Sequence, residues 1–389
     1  MRIFYLCYEN LQEHRGGTRH VIEVVRQLGR LGHTVDLFLP FEAPSGLFDD
    51  AITLHVIPTI PVRIIRWLTF YVRSALSMLA VGWRTRPDVI YIREMTYNVC
   101  PVLTARLLRR PLVVEVNGPI LDEMRAIGAG RLELWLIRTT QRRLFRAADR
   151  IVVVAEGLRD RIVDLHRLPV EKTAVIPNGT DPERLKPDDL QACQRAIGLT
   201  PGPTVGFLGS CYPYHDLDTL ITAAPLIVNA CPSVRFVIVG DGYMRPIWME
   251  RTRRERLADH FVFTGVVPYD EVPRYLNAFT VGIALFAQGR DEKLDRSPMK
   301  LYDYMACGRP VVATDLTGIG DVVRDHQAGL TIPPSDAAAL ADAVLRLLDD
   351  EALCETMGRA GRAAVERQYN WTRVATDIVH LVQHLGEKT

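Results

Sequence analysis

Short apolar runs alternate with stretches of helical periodicity along the chain, which is the pattern of parallel βαβ units. In the first half, RIFYLCY, TVDLFLP, ITLHVIP, DVIYIRE, PLVVEVN, RIVVVAE and TAVIPN predict strands. GTRHVIEVVRQLGRLGH and ELWLIRTTQRRLFRAA predict helices between them. Residues 178–203 break the alternation: they are rich in Pro, Asp and Gly, carry no long apolar run, and predict an interdomain connection. The alternation then resumes with TVGFLG, RFVIVGDG, FVFTG, VGIALF, PVVATD and AGLTIP, and the segment from Ala339 onward is helical with a break at Asn370-Trp371. Glycines follow several of these runs, at the strand ends where open α/β sheets bind ligands. The pattern predicts two doubly wound domains, 1–177 and 204–370, facing one another across a cleft that can close over a ligand. A C-terminal helix over 371–389 would pack back on the first domain.

Composition narrows this reading without changing it. A chain of 389 residues fits two ordinary domains, and 48% hydrophobic with 24% charged residues is the balance of a globular enzyme. Net charge is +1, which offers no reason to expect nucleic acid as a partner. The charge is unevenly spread: residues 1–190 carry 27 Lys and Arg against 22 Asp and Glu, and the remainder 20 against 24. A basic first half points to an acidic or membrane-associated partner there. Seven scattered cysteines without a C-x-x-C pair argue for a reducing compartment and against structural zinc. The N-terminus has a strand pattern and no signal peptide, and the apolar stretch 64–83 is interrupted by Arg66 and Arg73, so a cytoplasmic protein is expected.

The stretch DRSPMKLYDYMACGRPVVATD, from Asp295 to Asp315, carries the densest chemistry. Pro298 suits a helix's first turn, Gly308 its stop, and PVVAT a short buried strand. The two aspartates, Asp295 and Asp303, either cap and solvate this helix or flank a ligand at its positive end. With VIPNGTDPERL, HRGGTRHVIEVVRQLGRLGHTVDLF, ADRIVVVAEGLRDRI and FVFTGVVPYDEVPRYLNAFTVGIAL, this stretch resembles the retaining glycosyltransferases of family four, which have the GT-B fold. The resemblance runs over roughly residues 1–371.

The resemblance implies roles. Asp303 would accept hydrogen bonds from the ribose of a nucleotide and Asp295 would hold hydroxyls of the donor sugar, at positions where the family carries two glutamates. The Pro298 and Met299 helix start would face the diphosphate. Gly16 and Gly17 would line the cleft beneath the donor, and the loops holding Gly240 and Val267 would lie near the nucleotide base. Where the family often has His after the fifth strand, this chain has Asn117, which can position a sugar hydroxyl but cannot exchange a proton as His does. Glu115 is either its charged partner or a capping residue. Where the family carries an Arg and a Lys on the diphosphate, this chain has Ser210 and His215. Lys300, at the helix start, is the candidate replacement cation, with Arg290, Lys293 and Arg296 near it in sequence; the alternative is a solvated helix residue.

Other patterns reduce to structure. Asp216-Leu217-Asp218 matches a D-x-D metal motif, yet it opens a helix and predicts capping. No His or Cys spacing suggests zinc, so no metal or other cofactor is expected. The arginine-rich segment 131–150 is either a core helix with a basic outer face or a surface lying on anionic membrane. The implied activity is transfer of a hexosyl group, with retention, from a UDP- or GDP-sugar to a hydroxyl acceptor such as a lipid-linked or polysaccharide precursor. The rivals are a GT-B nucleotide-sugar epimerase and a non-catalytic sugar-nucleotide binder. Oligomeric state is not legible.

Overall fold

The described residues form thirteen strands in two parallel sheets, one for each run of alternation. The structure is a computed structural model, and it describes residues 1–13, 16–126, 128–287 and 297–386. Two compact units result, Met1–Pro177 with Trp371–Thr389, and Asn178–Asn370. The stretch 178–203 lies within the second unit: its helix Leu190–Ala196 is capped by Asp189, and Gln194 donates to the carbonyls of Gly202 and Ala278.

In the first unit the strands are β1 (Arg2–Leu6), β2 (Thr34–Leu39), β3 (Ile52–Val56), β4 (Val89–Arg93), β5 (Leu112–Val116), β6 (Arg150–Val153) and β7 (Thr173–Val175). Their order across the sheet is β3-β2-β1-β4-β5-β6-β7. The central strands are apolar without alternation because helices cover both faces, as the buried successive pairs Phe4 and Tyr5, Ile90 and Tyr91, and Val113 and Val114 show. The C-terminal helix Trp371–Gly386 packs against helix Gly16–Arg30, with Trp371 buried edge-on to His20 at 5.4 Å and Thr372 bonded to Gln27.

The second unit repeats the plan with β8 (Thr204–Leu208), β9 (Arg235–Val239), β10 (Phe261–Gly265), β11 (Val281–Ala284), β12 (Val311–Thr314) and β13 (Gly329–Ile332), ordered β10-β9-β8-β11-β12-β13. Both orders reverse direction beside the first strand of their unit, between β1 and β4 and between β8 and β11. These reversals are where doubly wound sheets leave a crevice at the strands' carboxyl ends. The final helical segment breaks at Asp350 as well as at Asn370, since the Asp350 carboxylate accepts from Leu353 N–H and starts a new helix.

Candidate active site

The β8–β11 crevice of the second unit is built around helix Met299–Ala306. Pro298 is its N-cap residue and Met299 its first helical residue, and the chain turns off at Gly308, where φ is +65°. Tyr304 locks the helix to the sheet: its hydroxyl accepts from Leu208 N–H at 2.7 Å and donates to the Ile283 carbonyl at 3.2 Å. Ser297, just ahead of the helix, accepts from the Asn178 backbone N–H, and its carbonyl accepts from the Asn178 side chain. Thr180 donates to Asp303 at 2.5 Å. Thus the Asn-Gly-Thr turn is the clamp that fixes both the start and the second turn of the helix. Asp303 is buried at 1% exposure, so its carboxylate is held by the fold before any ligand arrives. Asp295, Arg290, Lys293 and Arg296 lie outside the described residues.

Lys300, on the first turn of this helix, carries the unusual electrostatics. Its Nζ stands 4.1 Å from the centroid of the Phe207 ring and 5.5 Å from that of Phe286. The amine is buried, and among the described residues nothing accepts a hydrogen bond from it. Burial holds its pKa well below the ordinary lysine value. The loop after β8 wraps this amine. Gly209, at φ +149°, lies so close that a Cβ there would meet Nζ at 2.8 Å. Gly240, at φ +129°, passes against the Gly209 carbonyl, which a Cβ would meet at 2.0 Å, and donates its N–H to Gly265. Gly240 therefore serves loop-to-loop packing in this structure. Val267, half-buried, packs on the apolar core of the second unit.

Ser210 and His215 shape the same loop. His215 Nδ1 lies 2.6 Å from the Ser210 carbonyl oxygen; a carbonyl only accepts, so Nδ1 carries the proton. The ring is buried among Phe207, Tyr214 and Phe286 at centroid distances of 5.5, 4.3 and 5.3 Å. His215 thus folds the loop over the crevice, and Ser210 Oγ lies 3.4 Å from the Tyr214 hydroxyl.

The D-L-D pair lies beside this loop with its carboxylates engaged. Asp216 stands at the helix start, yet its carboxylate accepts from the Thr219 and Ser335 hydroxyls in place of a backbone N–H. Asp218 accepts from Trp248 Nε1 and Arg251. Capping by Asp216 through a backbone N–H, as the sequence suggested, is replaced by hydroxyl bonds because its backbone is left-handed there, at φ 45°.

The first unit carries its own polar centre at the β1–β4 reversal. Glu115 is 1% exposed, yet four side chains converge on it. Tyr91 and Tyr5 donate at 2.8 and 3.2 Å, His20 Nε2 lies at 2.7 Å, and Asn117 donates its amide. Burial pushes the Glu115 carboxyl up, but His20, the nearby Arg93 and Asn117 outweigh it and bring it down to about 2. Glu115 is therefore the ionised anchor of Asn117, one of the two roles left open by sequence. Gly17 is bound by Arg93, which donates to its carbonyl at 3.0 Å, and Gly16 opens the helix beside it. Sequence reasoning did not single out Tyr5, His20, Tyr91, Ser297 or Thr180 as site residues. The strand tyrosines have the pattern of core residues, and no local spacing pairs a helix histidine with a carboxylate some 95 positions on.

Comparison with known proteins decides the family. Residues 14–184 match the model described as Glycosyltransferase Family 4, and residues 202–350 match that of Glycosyl transferases group 1. The chain is a glycosyltransferase of family four. It is 28% identical over 250 residues to a GDP-mannose-dependent alpha-(1-6)-phosphatidylinositol monomannoside mannosyltransferase of Mycobacterium tuberculosis, spanning 63% of this chain and 64% of that relative. It is 28% identical over 394 residues to the phosphatidyl-myo-inositol mannosyltransferase of the same organism, covering 98% and 97% of the two chains. Among solved structures, sucrose-phosphate synthase from Thermosynechococcus elongatus superposes with TM-score 0.76 over 100% of both chains at 19% identity. Anabaena HepE in complex with UDP and glucose gives 0.77 at 18% identity, over 98% and 99% of the chains. These likenesses establish the GT-B fold of this glycosyltransferase.

Proposed function

We propose that this enzyme transfers a hexosyl group, with retention, from a nucleoside-diphosphate sugar to a hydroxyl acceptor. The observation that carries the proposal is the buried amine of Lys300 at a helix start, from which nothing among the described residues accepts a hydrogen bond. Carrying charge on an amine held out of water without an acceptor is costly, and an anion arriving there turns the cost into a charge-assisted bond. The backbone N–H groups of the first helical turn and the Ser210 hydroxyl supply further donors. Together they suit a diphosphate whose negative charge grows as it leaves. The mycobacterial relative named above is GDP-mannose-dependent, which makes GDP-mannose the first donor to try.

In this reading Asp303 takes the ribose hydroxyls and Asp295 those of the sugar, while Asn117, fixed by Glu115, positions a sugar hydroxyl. The glycosidic C–O bond to the diphosphate breaks as the acceptor oxygen bonds the same carbon on the same face. The acceptor's proton passes to a phosphate oxygen. No separate base is needed, and no metal is required in this proposal; the engagement of Asp216 and Asp218 by other side chains supports that view. The test is to offer GDP- and UDP-sugars with EDTA present and follow donor loss and product anomer by NMR. An α-configured product or slow α-sugar release from an α-linked donor supports the proposal. Inversion, C2 epimerisation of the donor, or activity restored only by added manganese would contradict it.

A further inference from the structure

The helix Arg63–Thr85 is apolar on two opposite sides. Phe70, Ser74 and Met78 face the core and are fully buried. Ile65, Leu68, Val72, Leu76 and Trp83 recur at spacings of three, four and seven on the other side, where Leu68, Leu76 and Trp83 are 61%, 60% and 67% exposed. A helix that is hydrophobic all round is ordinarily buried all round. The neighbouring helix Cys100–Leu108 packs against it through Leu108 over Gly82 and adds exposed Leu103 and Leu107. An apolar face of this extent marks a docking surface.

Charge identifies what docks. Residues 51–87 contain five arginines and neither Asp nor Glu, and residues 95–111 contain three arginines and again no acid. Arg84 and Arg106 are exposed beside the leucines. The surface extends toward helix Arg131–Ala147. Tyr71 donates to the Thr96 carbonyl and Tyr97 to Glu133, the latter in that helix's first turn, where Leu132 and Trp135 are exposed. A second copy of this face would set arginines against arginines, so self-association is disfavoured. Leucine and tryptophan flanked by arginine match a bilayer interface, with rings and stems in the acyl boundary and guanidinium groups among anionic headgroups. Among the described residues no helix is long and apolar enough to cross a membrane, and Arg66 and Arg73 interrupt this one.

We propose that the outward face of helices Arg63–Thr85 and Cys100–Leu108 docks the enzyme in the plane of an anionic lipid bilayer. The proposal is independent of donor chemistry and needs no nucleotide. It is tested by co-sedimentation with phosphatidylcholine vesicles lacking or containing phosphatidylglycerol, at low and high salt. The full chain should bind only the phosphatidylglycerol vesicles and release as salt screens the headgroups. Leu68→Glu with Leu76→Glu should weaken binding by about tenfold or more, and Arg84→Glu with Arg106→Glu by several-fold. Both pairs are exposed, so circular dichroism melts should match wild type; Trp83→Ser serves as a third variant if either pair melts early. No binding to anionic vesicles, equal binding to neutral ones, or wild-type binding by folded variants would overturn the proposal. So would a concentration-dependent dimer in sedimentation velocity that Leu68→Glu abolishes.

Discussion

Lys300 is where sequence, electrostatics and chemistry meet at the scale of one residue. Its pKa is depressed by burial, so between the folded value and about 10.4 the unfolded chain binds more protons and stability rises with pH. Replacing it by an apolar residue of similar length removes that penalty. Lys300→Met should therefore melt higher than wild type at neutral pH in the absence of ligand, while losing roughly a hundredfold in turnover, as removal of one preorganised donor does. A Lys300→Met enzyme that melts lower and turns over normally would make the lysine a structural residue. Two buried glutamates show how environment splits one residue type. Glu115 is held at about 2 by its cationic and amide partners, whereas burial raises Glu94, bonded to Gln141, to about 8. Glu94 is the acid whose native form keeps its proton, so its contribution falls as pH rises from about 4.3 through 8. Glu94→Gln should accordingly raise the melting temperature at pH 8.5 and leave it nearly unchanged at pH 5. An equal shift at both pH values would place the effect in packing.

At the scale of elements, the turn Asn178-Gly179-Thr180 and the helix Met299–Ala306 form one unit although they lie 119 or more positions apart. Thr180→Val leaves the Asp303 carboxylate without that hydroxyl. It should cost about 1–2 kcal/mol of stability, seen as a lower urea midpoint, because a buried acceptor loses its donor. Asp303→Asn keeps size and some bonding, so it should cost less stability and more nucleotide affinity. Equal nucleotide affinity in wild type and Asp303→Asn would remove the carboxylate from the proposed ribose contact. This pairing also marks the limit of what the sequence discloses. Each motif is recognisable alone, and helix start and stop are legible from Pro298 and Gly308. Which side chain of one motif meets which of the other depends on three-dimensional closure that no local spacing encodes. The same holds for Glu115, whose partners come from two other strands and a helix.

At the scale of the molecule, the thirteen strands were legible because buried parallel strands carry unbroken apolar runs between polar connections. Their order was not, since the runs look alike; the two sheets share one winding plan, each reversing beside the first strand of its unit. The candidate site was legible where backbone and charge constraints are severe, at the glycine-bounded loops and the lysine-bearing helix. It was hidden where it depends on tertiary neighbours, as for His215, whose ring folds a loop. Calorimetric titration of wild type and Lys300→Met with GDP and UDP is the most direct test of the central claim, that a buried lysine receives the donor's diphosphate. The account predicts that wild type binds one of these nucleotides and, at pH values near or above the amine's lowered pKa, takes up protons from buffer as it does so, because the anion favours the charged amine. Lys300→Met, folded and thermally no weaker, should bind it about tenfold or more less tightly without that proton uptake. Undiminished affinity and unchanged proton linkage in the variant would contradict the claim.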